Sequence, residues 1–202
     1  KFLFVKSGDD VEYWKFIIED ANGNKLDKTI KLTLKIVTPQ YGAINTYSDK
    51  IIGGQDNANY GSFLNLSSGT VMTLATAYTN QSDVDVCYFY GATNYATLAA
   101  PSTNEAQQIQ YSTNNTYNVS SWTTKKVTYM HATTLTATDF DNATNDSLIV
   151  TTYNNSTTTK KANALTVGDI VAFKTEEGKK GLIKVTEING TNNGYIKISI
   201  KI

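Results

Sequence analysis

Gly168-Asp-Ile-Val-Ala-Phe-Lys-Thr175, Gly181-Leu-Ile-Lys-Val-Thr-Glu-Ile188 and Tyr195-Ile-Lys-Ile-Ser-Ile-Lys-Ile202 decide the fold class. Each run is rich in β-branched and aromatic residues, and polar turns at Glu176-Glu-Gly-Lys179 and at Asn189-Gly190 to Asn193-Gly194 separate them. In the last run Ile196, Ile198, Ile200 and Ile202 alternate with polar residues, which puts all four on one face of a strand. The reading is an antiparallel C-terminal meander.

Working towards the N-terminus, Asp83 to Tyr90 alternates with Val84, Val86, Tyr88 and Tyr90 on one face and Cys87 and Phe89 on the other. Apolar residues on both faces mark a central strand. Ile51 to Asp56 reads as a strand and a turn, Thr73 to Asn80 as a short helix, and Lys126 to Met130 as a short strand. Thr138 to Ile149 opens with a capping-type Thr and acidic residues, so it predicts a second helix. Residues 92–124 have no clear period and are dominated by Asn, Thr, Ser and Tyr. Segments of that kind are disproportionately functional.

The first residues read differently. Lys1 to Lys6, Tyr13 to Ile18 and Ile30 to Ile36 predict three strands, with Trp14, Phe16 and Ile18 on one face of the second. The third alternates, Ile30, Leu32, Leu34 and Ile36 inward. Asn22-Gly23 is a hairpin signal. Val37-Thr38-Pro39 breaks the pattern, because proline cannot donate to a ladder. The organisation expected is a partial sandwich over 1–37, a linker over 38–48 and a β-rich binding domain over 49–202. The fold class is mainly β, the second domain being α+β with one or two short helices.

Composition excludes some functions. Only 18% of the 202 residues are charged, net charge is zero, and every basic residue is Lys. Arginine is the usual reader of phosphates and base edges, so no nucleic-acid partner is expected. From Lys50 to Lys125 there is no Lys between. Cys87 is the single cysteine, which precludes an intrachain disulfide, and its neighbours Asp83 and Asp85 disfavour a thiolate. It reads as a small buried hydrophobe.

Two resemblances follow. Val11-Glu-Tyr-Trp-Lys-Phe-Ile-Ile-Glu-Asp20-Ala-Asn-Gly-Asn-Lys25 with Thr29-Ile-Lys-Leu-Thr-Leu34 resembles the last strands of a bacterial Ig-like or PKD-like domain. An Ig sandwich needs about seven strands, so the chain is expected to begin mid-domain. Ile52-Gly-Gly-Gln-Asp, Asp83-Val-Asp-Val-Cys-Tyr-Phe-Tyr-Gly91, Ala96-Thr-Leu-Ala-Ala-Pro101 and Val167-Gly-Asp-Ile-Val-Ala-Phe-Lys-Thr175 resemble cell-surface lipoproteins of Bacteroidetes, in which an Ig-like domain precedes such a unit. That resemblance implies export, a lipid anchor in the outer membrane outside this chain, and an adhesion or binding role. It carries no catalytic residues. The Asp146-Ser147-Leu148 triplet resembles the O-glycosylation sequon of that group.

Catalytic candidates are sparse. His131 is the one histidine, which excludes a multi-His metal site. Asp83/Asp85, Asp139/Asp141 and Glu176/Glu177 are carboxylate pairs, and a pair can hydrolyse a glycoside. The simpler reading of each is a strand start, a helix start or a solvated face. Asp139 to Asp146 resembles a calcium loop but lacks glycine at its sixth position. No catalytic residue, metal or cofactor is therefore expected. Tyr95, Tyr111, Tyr117 and Trp122 lie in or beside the irregular region and are the expected ligand contacts, because exposed aromatic rings among Asn and Gln suit a sugar or an uncharged protein surface. The expected function is non-catalytic binding or adhesion at the cell surface, to a glycan or a protein. The alternatives are a glycan-binding lipoprotein of a polysaccharide-uptake system and a carboxylate-dependent hydrolase.

Overall fold

The computed structural model describes residues 11–33 and 40–202. The chain forms two compact units, residues 1–40 and 41–202.

In the first unit β1 (Val11–Glu19) and β2 (Lys25–Thr33) form an antiparallel ribbon. Its turn is built by Asp20, whose Oδ1 accepts the N–H groups of Asn22 and Asn24, while Gly23 takes φ +83°. Glycine reaches that region without the cost a Cβ would impose. Register pairs Trp14 with Ile30 and Ile18 with Leu26, so the two alternating patterns share one face. On the other face Lys15 pairs with Asp27 at 2.6 Å. The strand expected at 1–6 and the end of the one expected at 30–36 lie outside the described residues.

The second unit contains β3 (Thr46–Gly53), β4 (Phe63–Asn65), β5 (Thr70–Met72), α1 (Leu74–Thr79), β6 (Val86–Gly91), β7 (Tyr95–Ala99), α2 (Asn104–Gln108), β8 (Tyr129–Ala132), α3 (Ala137–Asn142), α4 (Ser147–Thr152), β9 (Lys161–Ala162), β10 (Ile170–Lys174), β11 (Lys180–Asn189) and β12 (Tyr195–Lys201). Short 3-10 turns occupy Gln81–Asp83 and Val119–Ser121. One antiparallel sheet has the order β3-β12-β11-β10-β8, the other β5-β4-β6-β7-β9. The chain is mainly β, with four short helices among the described residues where one or two were expected. Within the stretch expected as a linker, 38–48, the last residues belong to the sheet. Asn45 already exchanges backbone hydrogen bonds with Ile202, and β3 begins at Thr46.

Strand alternation explains the packing. Ile196, Ile198 and Ile200 of β12, Val171 and Phe173 of β10, and Ile183 and Val185 of β11 meet Val86, Tyr88, Leu64 and Leu98 of the other sheet in one core. Each such side chain contributes about 1.5–3 kcal/mol by leaving water. The reverse faces are also covered. Cys87, Phe89 and Phe63 pack against Ala77 of α1, Ala106 of α2, Val119 and Trp122. Ile170, Ala172 and Leu182 pack against Phe140 of α3, Ile149 of α4 and Tyr153. The unit is thus a two-sheet sandwich with a helical cover on each outer face.

The helices start where threonine can cap. Thr73, Thr103 and Thr136 each accept a backbone N–H in the first turn. At Thr136 the Asp139 carboxylate reaches back to complete a capping box. The single helix expected over 138–149 is two, because Ala143 is extended and Asn145 lies beyond it, bridged to Ala43. Among the described residues no helix is long and apolar enough to cross a membrane.

Candidate functional site

One face of the second unit carries a groove of about 390 Å³ between residues 55–57 and 110–113, continuous through Gln55, Asn57 and Tyr111 with a smaller hollow of about 140 Å³ floored by Asn59, Tyr60 and Thr73. Its lining is mostly Gln, Asn, Tyr, Ser and Thr, with Ala58, Gly61 and Leu74 in the smaller hollow and Asp56 the one charged side chain, held by Asn192.

Both walls are fixed. Asn57 Oδ1 accepts the N–H groups of Asn59 and Tyr60 at 2.8 and 2.9 Å, and its Nδ2 donates to the carbonyls of Asn193 and Gly194. The loop after β3 is thereby tied to the β11–β12 turn. Gln55 clamps the end of β6, with Nε2 donating to Tyr90 O and Oε1 accepting Tyr90 N–H. Opposite, buried Asn118 takes the N–H groups of Tyr111 and Ser112 on Oδ1 and donates to Ser112 O. Tyr111 stands on Phe63, ring centroids 4.9 Å apart, and its hydroxyl donates to Tyr88 O. Burial, and then the adjacent Cys87 thiol, push its phenol well above the usual range, so it stays neutral. What remains open to a ligand is Gln110, which is exposed and has no side-chain hydrogen bond among the described residues, the part of Tyr111 not covered, and Tyr60. Tyr60 is 40% exposed and edge-on to Tyr195 at 5.6 Å.

The four aromatic residues expected as contacts do not form one surface. Tyr111 lines the groove. Tyr95 is exposed at the start of β7 with φ +54°, against Tyr90. Tyr117 stands edge-on to Tyr78. Trp122 is a correction: it is 2% exposed, its ring is tilted on Phe63, and its Nε1 donates to Tyr117 O. An indole supplies too much apolar area to leave in water where a core is within reach. Gln55, Tyr60 and Gln110 were not singled out from sequence. The Gln107-Gln-Ile-Gln110-Tyr111 run was the available signal, an amide cluster next to a ring.

The candidates for chemistry are dispersed. His131 Nε2 accepts the N–H of Asn154 at 3.1 Å, which leaves Nδ1 as the protonated nitrogen facing Ala132 O. Asp139 is consumed by its capping box, Asp141 by Lys184, and Asp146 by the N–H of Gly42. Asp83 and Asp85, expected as a carboxylate pair, are separated. Asp83 sits in the 3-10 turn and is exposed, whereas Asp85 precedes β6 and is fully buried. Asp85 is accompanied by Lys126, itself buried, with Nζ 2.6 Å from Asp85 Oδ1 and 2.5 Å from Glu177 Oε1. No group of three or more potential metal ligands occurs among the described residues. Neither a family model, nor a curated protein, nor a solved structure matches this chain.

Proposed function

We propose that this is a non-catalytic binding protein of the cell surface whose second unit captures an uncharged glycan in the groove between residues 55–60 and 110–113. The observation that carries the reading is the lining itself. Fixed amide walls surround two partly open tyrosine rings and one uncommitted glutamine, in a groove whose one carboxylate is already engaged. Sugars offer hydroxyls to amides and flat C–H faces to aromatic rings, and carry no charge that would need an arginine. Export and a lipid anchor in the outer membrane belong to the same proposal and rest on the resemblance to Bacteroidetes surface lipoproteins.

The test is a glycan array probed with the full chain and with Tyr60→Ala, Gln110→Ala and Tyr117→Ala. A specific hit that falls at least tenfold in the first two variants and persists in the third is the expected result. Absence of binding to any glycan removes the sugar reading and leaves protein adhesion.

A further inference from the structure

We propose that Lys126 and Asp85 are joined by an intramolecular amide bond between Lys126 Nζ and Asp85 Cγ, formed after folding with Glu177 as the proton carrier. Three features of the cluster point this way. First, amine and acid are both withdrawn from water, with side-chain exposures of 6% and 1%. Water is therefore scarce where it would compete with the amine or hydrolyse the product.

Second, the contact is close but is not directed as a hydrogen bond. Nζ lies 2.6 Å from Oδ1, yet Oδ1 has no properly directed hydrogen bond. A nitrogen so placed stands close to the carboxyl carbon, near the roughly 3–3.5 Å separation from which oriented groups react. Third, the two carboxyl oxygens are already distinguished. Oδ2 accepts the backbone N–H of Leu66 at 2.7 Å, whereas Oδ1 faces the amine. A fixed N–H at that distance is what stabilises a developing oxyanion.

Charge supports the same chemistry. With every group ionised, two carboxylates and one ammonium leave a surplus negative charge beside a fully buried atom. Burial raises the Asp85 acid above its usual range, against the opposing pull of Lys126. Glu177, half-exposed, is held below its usual range by its bond to Lys126. Burial thus pushes Asp85 towards its protonated form, and the bond to Lys126 holds Glu177 towards its ionised one, which are the forms the step requires.

The step balances without a co-reactant. Glu177 removes a proton from the Lys126 ammonium. The free amine adds to Asp85 Cγ, and the negative charge moves to Oδ2 against Leu66 N–H. Glu177 returns its proton to the Oδ1 hydroxyl, which departs as water while the C–O bond breaks. The surplus proton on nitrogen passes to Glu177 and on to solvent. One C–N bond has formed, one water has left, and nothing is oxidised or reduced.

The test is the intact mass of the purified full chain. The expected result is a mass lower than the sequence by one water, with a digest fragment joining the peptides that carry residues 85 and 126. A denaturing, reducing gel should show faster migration, which a chain with one cysteine cannot owe to a disulfide. Lys126→Arg and Asp85→Ala should return to the full sequence mass. Both alter a buried cluster, so Glu177→Gln provides the informative variant: the exposed side chain can be changed with the fold intact by circular dichroism, and conversion should fall at least tenfold in rate. A folded wild-type chain at full sequence mass overturns the bond. A folded Glu177→Gln chain that cross-links at the wild-type rate overturns the role given to Glu177.

Discussion

The indole N–H of Trp122 donates to the backbone carbonyl of Tyr117 at 2.8 Å, which fastens the irregular segment before β8 to its own interior. The same ring packs on Phe63 in the cluster that covers the outer face of the β6 sheet. Trp122→Ala therefore tests stability, not ligand contact. It should cost about 3–5 kcal/mol by cavity formation, read as a lower urea midpoint. Trp122→Phe should cost less, keeping most of the volume and losing one hydrogen bond.

Gln55 is a positioning residue for the groove. Its amide satisfies both backbone groups of Tyr90, and an alanine there leaves a donor and an acceptor without partners. Gln55→Ala should lower stability by roughly 1–3 kcal/mol and weaken any ligand that needs the 55–60 wall. Thermal denaturation beside a binding titration separates the two effects, since Gln110→Ala should weaken binding with no change in melting temperature.

Cys87 is expected to be chemically silent in the native state. Burial pushes its thiol up to about 12, and Sγ faces Ala99 O at 3.3 Å. Only the thiolate reacts with thiol reagents. Labelling with a maleimide should be negligible under native conditions at neutral pH and complete in denaturant. Native labelling at the rate of a free thiol would contradict the packing of the β6 sheet's outer face.

Glu105 joins α2 to β9 through Lys161. The hydrogen bond from Lys161, then its own backbone N–H, hold the carboxyl below the usual glutamate range. A depressed folded value contributes stability that is present above the unfolded pKa and is lost as pH falls through the folded one. The window thus opens near the usual glutamate pKa of about 4.3 and extends downward. Glu105→Gln should flatten that part of the acid-unfolding curve, measured by urea midpoints across the range, and leave the neutral-pH slope unchanged.

Gly181 lies opposite Phe173 in the β10–β11 ladder, and a Cβ there would come within 2.3 Å of the ring. Gly181→Ala should therefore displace Phe173 from the inter-sheet core and cost about 1–3 kcal/mol through overpacking, seen as a lower melting temperature.

What was legible in the sequence was whatever a strand's two-residue period encodes. The Ile196 to Ile202 alternation, the two apolar faces of Val86 to Phe89 and the Asp20 to Asn24 turn all stand as read. Of the candidate groove, the sequence singled out only Tyr111. Its other walls come from the loop after β3 and from a segment held by Asn118, and neither has a period. The destination of Trp122 depends on Phe63, far away in the chain. The Asp85–Lys126–Glu177 cluster eluded a reading in which each charge was weighed alone. A buried lysine is recognisable only once its carboxylates arrive from other strands and turns.

The pairing of β3 with β12 has a mechanical consequence. The strands are antiparallel, and Asn45 and Ile202 close the same end of the ladder, with N–H to O distances of 2.7 and 3.0 Å. Tension applied at these two residues pulls the pair apart from one end, so its bonds yield singly and in succession instead of sharing the strain in shear. Under pulling from those two points the β3–β12 ladder behaves as a zipper, its backbone bonds resisting one rung at a time.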